Sequence, residues 1–528
     1  MQGNKNYTEA LFTSFQLSDH VPKDNFYRRL KGLLDLRFMR KLTEPYYGTC
    51  GQKSIDPEVF IKIMLVGYLE NILSDRKLMS HCAMRMDILF FLGYNIDEPL
   101  PWHSTLSRTR ALLPDSVFTE AFEHVLRMCI DKGMVSGHTQ AIDSAPVKAN
   151  ASMDSIELKV PADELDEHLR KIRAMSAADR PDEKDKGDKK PPAPRRKAQN
   201  NKASDEQQTI TADERTLNEI KSRNLKWSSK QTERPGAKNK NSKYTSNKTH
   251  YSPVDPDARI SVKPGKARKL NYAAQMAVDT GHHVITHIQA DYADKKDSQS
   301  LQVFTLELKK RLNANGLLWR NLLADTGYSS GENYAFLEGH GIESYIPPHG
   351  TYKGGPDGFT YYKDGDYWLC SQGEKVTFRK IQIEKSGNRK KLYLTKPSQC
   401  KGCPIKAQCI GKSPIRHITI TAYNEEYQRA IARVNSKRGR AFKVNRSSTV
   451  EPVFGTLKEF TAMRKVNTRG ISNANKGMLM AAMAYNLKKY LKFTKNRVET
   501  VAKSAEKHLL EIFFQIRLII KPNPSFQF

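Results

Sequence analysis

The sequence predicts a mixed α/β protein with an all-α region at its front and a Cys-containing, β-rich subdomain inserted towards its end. Three observations predict this. Apolar residues recur at helical spacing through residues 1–135. From Thr139 onwards they alternate in several short runs. A stretch at 349–418, rich in Gly, Tyr and Lys and ending in closely spaced cysteines, then interrupts the pattern.

In the front region, Phe26, Leu30, Leu33, Leu34 and Phe38 form one helical stripe within 24–42. Asp56-Pro57 opens a long helix through Ile63, Leu65, Tyr68, Leu69 and Ile72, since Pro fits a first turn that needs no N–H. Ser74 begins a shorter helix, and Ser104 to Arg110 begins another after Pro99 and Pro101. A hydroxyl-rich helix start followed by Arg108 and Arg110 suits contact with phosphates. An ordinary helical bundle with a basic face is the competing reading.

Thr139 to Val147 reads as a strand carrying Asp143 near its middle. A carboxylate there is out of place on propensity, and burying it is costly unless it is paired, hydrogen-bonded or bound to a cation. Residues 161–255 follow, rich in Lys, Asp, Glu, Asn, Pro and Ser. Apart from an amphipathic helix at 163–175, that composition predicts a basic, largely disordered insertion.

Alternation resumes with Leu270, Tyr272, Ala274, Met276 and Val278, turns at Asp279 to His282, and returns through Val284, Thr286, Ile288 and Ala290. This is an antiparallel hairpin. A helix over 298–312 follows, with Leu301, Phe304, Leu308 and Leu312 on one face, and then a short strand from Leu322 to Asp325. Ser329 with Glu332 makes a capping box for the next helix, and 342–346 makes a further strand. Asp325 ends its strand where open sheets present ligand-facing groups, although Asp-Thr-Gly is also a common turn.

The third conspicuous acid is Glu451. Val450, Val453, Phe454 and Leu457 fall on one helical face, and Glu451, Gly455 and Lys458 on another. Ser448 three residues before Glu451 is a capping-box pattern. From Arg429 to Arg469 there are eleven Lys and Arg against two acids, Glu451 and Glu459. A carboxylate in so cationic a stretch is either a capping residue or part of a metal site serving nucleic acid.

Composition bears on partners. Lys and Arg number 87 against 57 Asp and Glu, a net charge of +30 that calls for a polyanion, nucleic acid first. No apolar run approaches the roughly 20 residues of a membrane span, and the N-terminus lacks a secretory pattern. The apolar run at 509–520 is broken by Glu511, Gln515 and Arg517 and reads as a packing helix. Seven cysteines predict reduced thiols in the cytoplasm, with the nucleoid as working surface. Cys370, Cys400, Cys403 and Cys409 could supply four thiolates to a structural Zn2+ through the Cys-x2-Cys knuckle. The gap to Cys409 departs from the standard second pair, so plain thiols are an equal alternative.

In order, the segments Ser74–Leu78, His103–Arg108, Ala141–Val147, Asp255–Arg259, Ala324–Tyr328, the cysteine run and Val450–Lys458 resemble the DDE transposases of bacterial insertion sequences. The likeness is to the branch with a helical N-terminal domain and a Cys-containing insertion before the Glu. It covers residues from about 20 to 490. The resemblance implies an RNase H-like catalytic core made of 136–160, 256–348 and 419–495, with 1–135 as the DNA-binding domain, 161–255 and 349–418 as insertions, and 496–528 as a helical tail. It implies Asp143, Asp325 and Glu451 as the catalytic acids holding Mg2+ or Mn2+. It further implies terminal inverted repeats and target DNA as partners, in a synaptic complex of at least two copies. The family often shows Tyr-x2-Arg-x3-Glu-x6-Lys around its last acid. Glu451 and Lys458 fit, whereas Arg446 stands one residue too far from Glu451 and no Tyr is in place. Lys458, Arg464, Arg108 and Arg110 are thus the candidate DNA contacts. The alternative function is a DNA-binding protein or repressor without catalysis, derived from a transposase.

Overall fold

The computed structural model describes residues 15–48, 54–158, 247, 250–261, 268–350, 352, 354–384 and 387–494. Its front is helical: α1 (Leu17–His20), α2 (Phe26–Leu33), α3 (Phe38–Thr43), α4 (Pro57–Leu69), α5 (Asp75–Ala83), α6 (Met86–Leu92), α7 (His103–Leu112) and α8 (Asp115–Asp131). Asn25, Asp56 and Ser74 start α2, α4 and α5 by accepting backbone N–H groups that have no partner inside the helix. The single helix expected over 24–42 is instead two. Asp35 accepts from the Arg37 backbone N–H and side chain, and this local bonding replaces the helical ladder. Likewise α4 stops at Leu69, short of Ile72, because Asn71 turns into the left-handed region at φ 60°.

The helices lead into a six-stranded mixed sheet. Its first strand, β1 (Thr139–Lys148), is followed by a small clip in which β2 (Glu157–Leu158) pairs with β3 (His250–Tyr251). Most of the insertion expected at 161–255, with its helix at 163–175, lies outside the described residues. Its last residues pack against the sheet: Ser252 and Asp255 are buried, and Tyr272 donates its hydroxyl to Asp255 at 2.6 Å. The sheet continues with β4 (Arg259–Ser261), β5 (Lys269–Asp279), β6 (Ile285–Tyr292), β7 (Asn321–Leu323) and β8 (Glu343–Tyr345). β5 runs antiparallel to β1, β4 and β6, while β1, β7 and β8 run parallel.

The two parallel connections carry α9 (Asp297–Ala314) and α10 (Gly331–Gly339). Ser330, not Ser329, caps α10, because Ser329 instead receives the Tyr334 hydroxyl. Both faces of the sheet are covered. Ala141, Ala145 and Val147 of β1 join a core with the front helices and a helix over 471–494. Ile142 points the other way, into a core with Leu301, Phe304 and Leu337.

The inserted subdomain holds β9 (Phe359–Tyr362), β10 (Tyr367–Cys370), β11 (Lys375–Ile383), β12 (Arg389–Leu394), two single-turn helices α11 (Pro397–Cys400) and α12 (Lys406–Cys409), and β13 (His417–Thr421). They form one antiparallel sheet in chain order. The chain returns to the central sheet through α13 (Asn424–Asn435) and α14 (Lys437–Phe460). Ser436 caps α14, so Ser448 lies mid-helix and the capping box read at Ser448 and Glu451 does not start it. The apolar face is as expected, with Val450, Val453, Phe454 and Leu457 all buried. After α14, the Val466 N–H donates to the Lys148 carbonyl and the Lys148 N–H to the Arg464 carbonyl, which clips this segment to the end of β1. Among the described residues, no helix is long and apolar enough to cross a membrane. The region expected as a helical tail at 496–528 lies outside them.

Candidate active site

Strand register brings the first two acids together. β1 and β7 pair in parallel through Thr139 with Asn321, Gln140 with Leu322 and Ala141 with Leu323. Carried two residues further, that register sets Asp325 level with Asp143. Asp325 has by then left the strand, and its Oδ1 accepts from the Gly327 N–H at 2.9 Å. The turn role suggested by Asp-Thr-Gly is therefore present, in addition to its position beside β1.

A carboxylate overlooked in the sequence completes this end of the sheet. Asp297 opens α9, where an acid is unremarkable because it suits the helix dipole. A Cβ added at Gly327 would meet Asp325 Oδ1 at 3.0 Å and Asp297 Oδ2 at 3.1 Å, so the two carboxylates flank one glycine. Gln275 links Asp297 to the core: it accepts from the Tyr328 hydroxyl at 2.6 Å and donates to Asp297 at 3.3 Å. Burial, followed by the charges of Asp297, Asp143 and Asp325, pushes the Tyr328 hydroxyl well above its ordinary pKa.

Asp143 is buried enough for the site to be felt. Its side chain is 19% exposed, and desolvation is the main reason its carboxyl is pushed up to about 6. The Ser144 N–H, donated at 2.8 Å, works against that shift, Asp325 and Asp297 add to it, and Arg446 opposes it.

Glu451 sits on α14, 63% exposed. Between it and β1 stands Arg446, whose Nη1 is 3.4 Å from Asp143 Oδ2 and whose Nη2 is 3.7 Å from Glu451 Oε1. The sequence set Arg446 aside because it was out of register with the family pattern. In three dimensions the extra residue of spacing matters little, because the long guanidinium arm spans the gap between β1 and α14.

The remaining candidates fare differently. Arg110 is buried, paired with Asp75 at 2.8 Å and against the Met64 sulfur at 3.2 Å. It ties α7 to α4 and α5, so in this structure its guanidinium is engaged inside the front domain. Arg108 is exposed and folds back onto Ser104 of its own helix. Arg464 pairs with Glu459, and the Lys458 ammonium lies over the Phe454 ring at 5.8 Å. Much of the basic stretch is also offset by acids distant in sequence. Arg429 and Arg433 both bind Glu338, and Arg438 lies 3.5 Å from Glu343.

Among the described residues, no three or more His, Cys, Asp or Glu side chains are arranged to hold one metal ion. The donor chemistry nevertheless suits a hard divalent cation. The acids offer only oxygen, and a cationic guanidinium already stands between Asp143 and Glu451. The four cysteines considered for zinc all line one cavity of about 600 Å³ in the inserted subdomain. Cys82 and Cys129 lie in the helical core, where burial pushes both thiols up to about 12.

Two family models match the chain. The one described as Transposase domain (DUF772) matches residues 15–112, and the one described as Transposase DDE domain matches 369–491. The second range contains Glu451 and Arg446, while Asp143, Asp297 and Asp325 lie between the two ranges. Among solved structures, the cryo-EM piggyBac transposase synaptic complex with hairpin DNA is similar at 10% identity and a TM-score of 0.31, over 95% of this chain and 82% of that one. A likeness at that score carries no argument. No curated protein matches the chain.

Proposed function

We propose that this chain, an insertion-sequence DDE transposase by its two family matches, binds the terminal inverted repeats of its element, cleaves there and joins the resulting 3′-hydroxyls to target DNA. Asp143, Asp325 and Glu451 are the catalytic acids in this reading. The observation that carries it is the strand register that sets Asp325 level with Asp143, with Arg446 linking Asp143 to Glu451. An RNase H-like core is supported by the strand pattern: β1, β5 and β6 antiparallel, with the short β4 also paired to β5, then β7 and β8 parallel to β1 and reached through helices. The core would comprise 136–160, 256–348 and 419–495, with 1–135 engaging DNA.

Asp143, Asp325 and Glu451 would hold Mg2+ or Mn2+, which when bound supplies activation of a water or 3′-hydroxyl and stabilisation of the leaving oxygen. The chain's own residues do the rest. Burial of Asp143 between two covered faces keeps its surroundings low in dielectric, so charge placed there is strongly felt. Arg446 balances the first and last acids until a phosphodiester and its counterions arrive. Lys458, seven residues beyond Glu451, and Arg464 supply cationic contacts along the approach, and Arg108 does so on the front domain. In cleavage, water replaces one P–O bond and leaves a 3′-hydroxyl. In joining, that 3′-oxygen forms a P–O bond to a target phosphorus as the target's P–O3′ bond breaks, and the target strand leaves with a free 3′-hydroxyl that takes up the proton. Two element ends brought together call for two or more copies of the chain.

The test uses the purified chain with duplexes carrying the inverted repeats that flank its reading frame, in Mg2+ or Mn2+. Cleavage and strand transfer by the wild type, lost in Asp143→Ala while the duplex is still bound, support the proposal. Equal inertness of wild type and variant, with both binding DNA, refutes catalysis in favour of a repressor.

A further inference from the structure

The inserted sheet is short of the apolar burial that usually holds a sheet together. Its core is Trp368, Val376, Tyr393, Ile418 and Ile420, with Phe359 and Tyr361 packed against it. β11 is nine residues long and buries only Val376. Small units with so little core are generally fixed by disulfides, a metal or a partner. The four cysteines here are free thiols, so no disulfide among them does that work.

Those cysteines come from two places that the sheet brings together. Cys370 ends β10, before the tight turn at Gly373 (φ 81°) that leads into β11. Cys400, Cys403 and Cys409 lie on α11, α12 and the loop between them, in the connection from β12 to β13. Gln399 ties the two places directly, donating to Glu374 Oε2 at 2.8 Å. All four cysteines are partly buried and line the same cavity of about 600 Å³.

The surroundings of the sulfurs suit thiolates. The Glu374 N–H donates to Cys370 Sγ at 3.3 Å, and the Thr395 hydroxyl lies 3.3 Å from Cys400 Sγ. An N–H directed at sulfur is the kind of supporting bond that orients and stabilises a metal-bound cysteine. Arg416 lines the cavity too. Its Nη1 donates to the Cys409 carbonyl at 2.6 Å, and its buried Nε has no hydrogen-bond partner. A guanidinium at the wall offsets the negative charge that four thiolates around one divalent ion would leave.

We infer that Cys370, Cys400, Cys403 and Cys409 bind one structural Zn2+ as thiolates, and that this ion staples the β10–β11 turn to the β12–β13 connection. The sulfurs are not gathered around a point, so ligation draws the single-turn helices α11 and α12 in and closes the cavity. Each thiol releases its proton to solvent as its Zn–S bond forms, and no oxidation is involved. Closed four-cysteine sites of this kind are structural, because no position is left open for a substrate. The inference stands apart from the carboxylate site and survives or fails independently of it.

The experiment is elemental analysis of the full chain, purified without a polyhistidine tag and dialysed against excess ZnCl2, then against zinc-free buffer. The expected result is about one zinc per chain. Removing it with a chelator should expose the four thiols to a thiol reagent and change Trp368 fluorescence. Cys400→Ser/Cys403→Ser should lose the ion. If that variant does not fold, Cys409→Ser alone should weaken retention roughly tenfold or more. Cobalt exchanged for zinc should give the visible bands of a tetrahedral thiolate complex. Wild type with no retained zinc, variants that keep it, or disulfides found among these cysteines would each overturn the inference.

Discussion

In the central sheet, β1 buries Ala141, Ala145 and Val147 against the front helices and Ile142 against α9 and α10, whereas in the inserted sheet β11 buries Val376 alone. The difference explains why the acids sit where they do. A strand covered on both faces is fixed by its neighbours, so it can carry a carboxylate such as Asp143 that packing alone would reject. The inserted sheet has no such reserve, and its unusual residues are ones that could hold it together. In the proposed reading, one region tolerates polar groups for chemistry and the other depends on polar groups for stability.

The strongest way to break this comparison is Asp143→Asn. If the central sheet is held by burial, the variant should lose end cleavage at least about a thousandfold, equivalent to about 4 kcal/mol in the barrier. Its thermal stability at pH 7 without divalent ions should be unchanged or higher, because a desolvated carboxylate has been replaced by a neutral isostere. Calorimetry beside a cleavage assay checks both, and a marked drop in melting temperature would show that the sheet needs the acid.

Trp368→Ala probes the other side. Truncating this buried ring should cost about 3 kcal/mol, and the loss should be confined to the insertion. Hydrogen exchange is the readout: amides of β10 to β12 should lose protection while those of β1 and β5 keep theirs. Trp368→Phe is the control, since the buried indole N–H has no partner and removing it alone should cost far less. A single cooperative loss across both sheets would merge the two regions into one.

A smaller effect follows from the Asp143 carboxyl, pushed up to about 6 chiefly by burial. The folded state then holds this proton more tightly than the unfolded chain does. Its contribution is most favourable below about pH 4 and is lost as pH rises towards 6, by up to about 3 kcal/mol in metal-free protein. Other acids titrate in the same window, some in the opposite sense, as Glu338 does beside Arg429 and Arg433. The difference between wild type and Asp143→Asn in urea unfolding from pH 4 to 7.5 isolates the term. A flat difference would place Asp143 in water.

Alternation and helical spacing made most of the framework legible. β1, β5, β6 and the apolar face of α14 follow from them, because each pattern is a direct image of a buried face. The start of α14 was not legible. Half of residues 437–446 are basic and only Gly439 is buried among them, so no apolar period marks them, and Ser448 mimicked a cap that Ser436 provides. Arg446 was set aside for its register and Asp297 was missed. Each is ordinary in its own helix and becomes notable only across the gap to β1 or Gly327. Arg110 is the reverse case, because its charge suggests a surface position while it is buried beside Asp75.

The finest test of the comparison is the link between the two acids. Arg446 is only 17% exposed, yet its distances of 3.4 and 3.7 Å are those of ion pairs rather than tight bidentate bonds. Its coupling to Asp143 should therefore be modest, about 1 kcal/mol, well below that of a fully buried pair. A double-mutant cycle of Arg446→Ala with Asp143→Asn, read by urea unfolding at pH 7 without divalent ions, measures it. Arg446→Ala alone should also move the Asp143 titration upwards, because the guanidinium opposes the effect of burial. Coupling of several kcal/mol would mean that β1 and α14 are held together by charge, and the central sheet would then resemble the inserted one in depending on its polar groups.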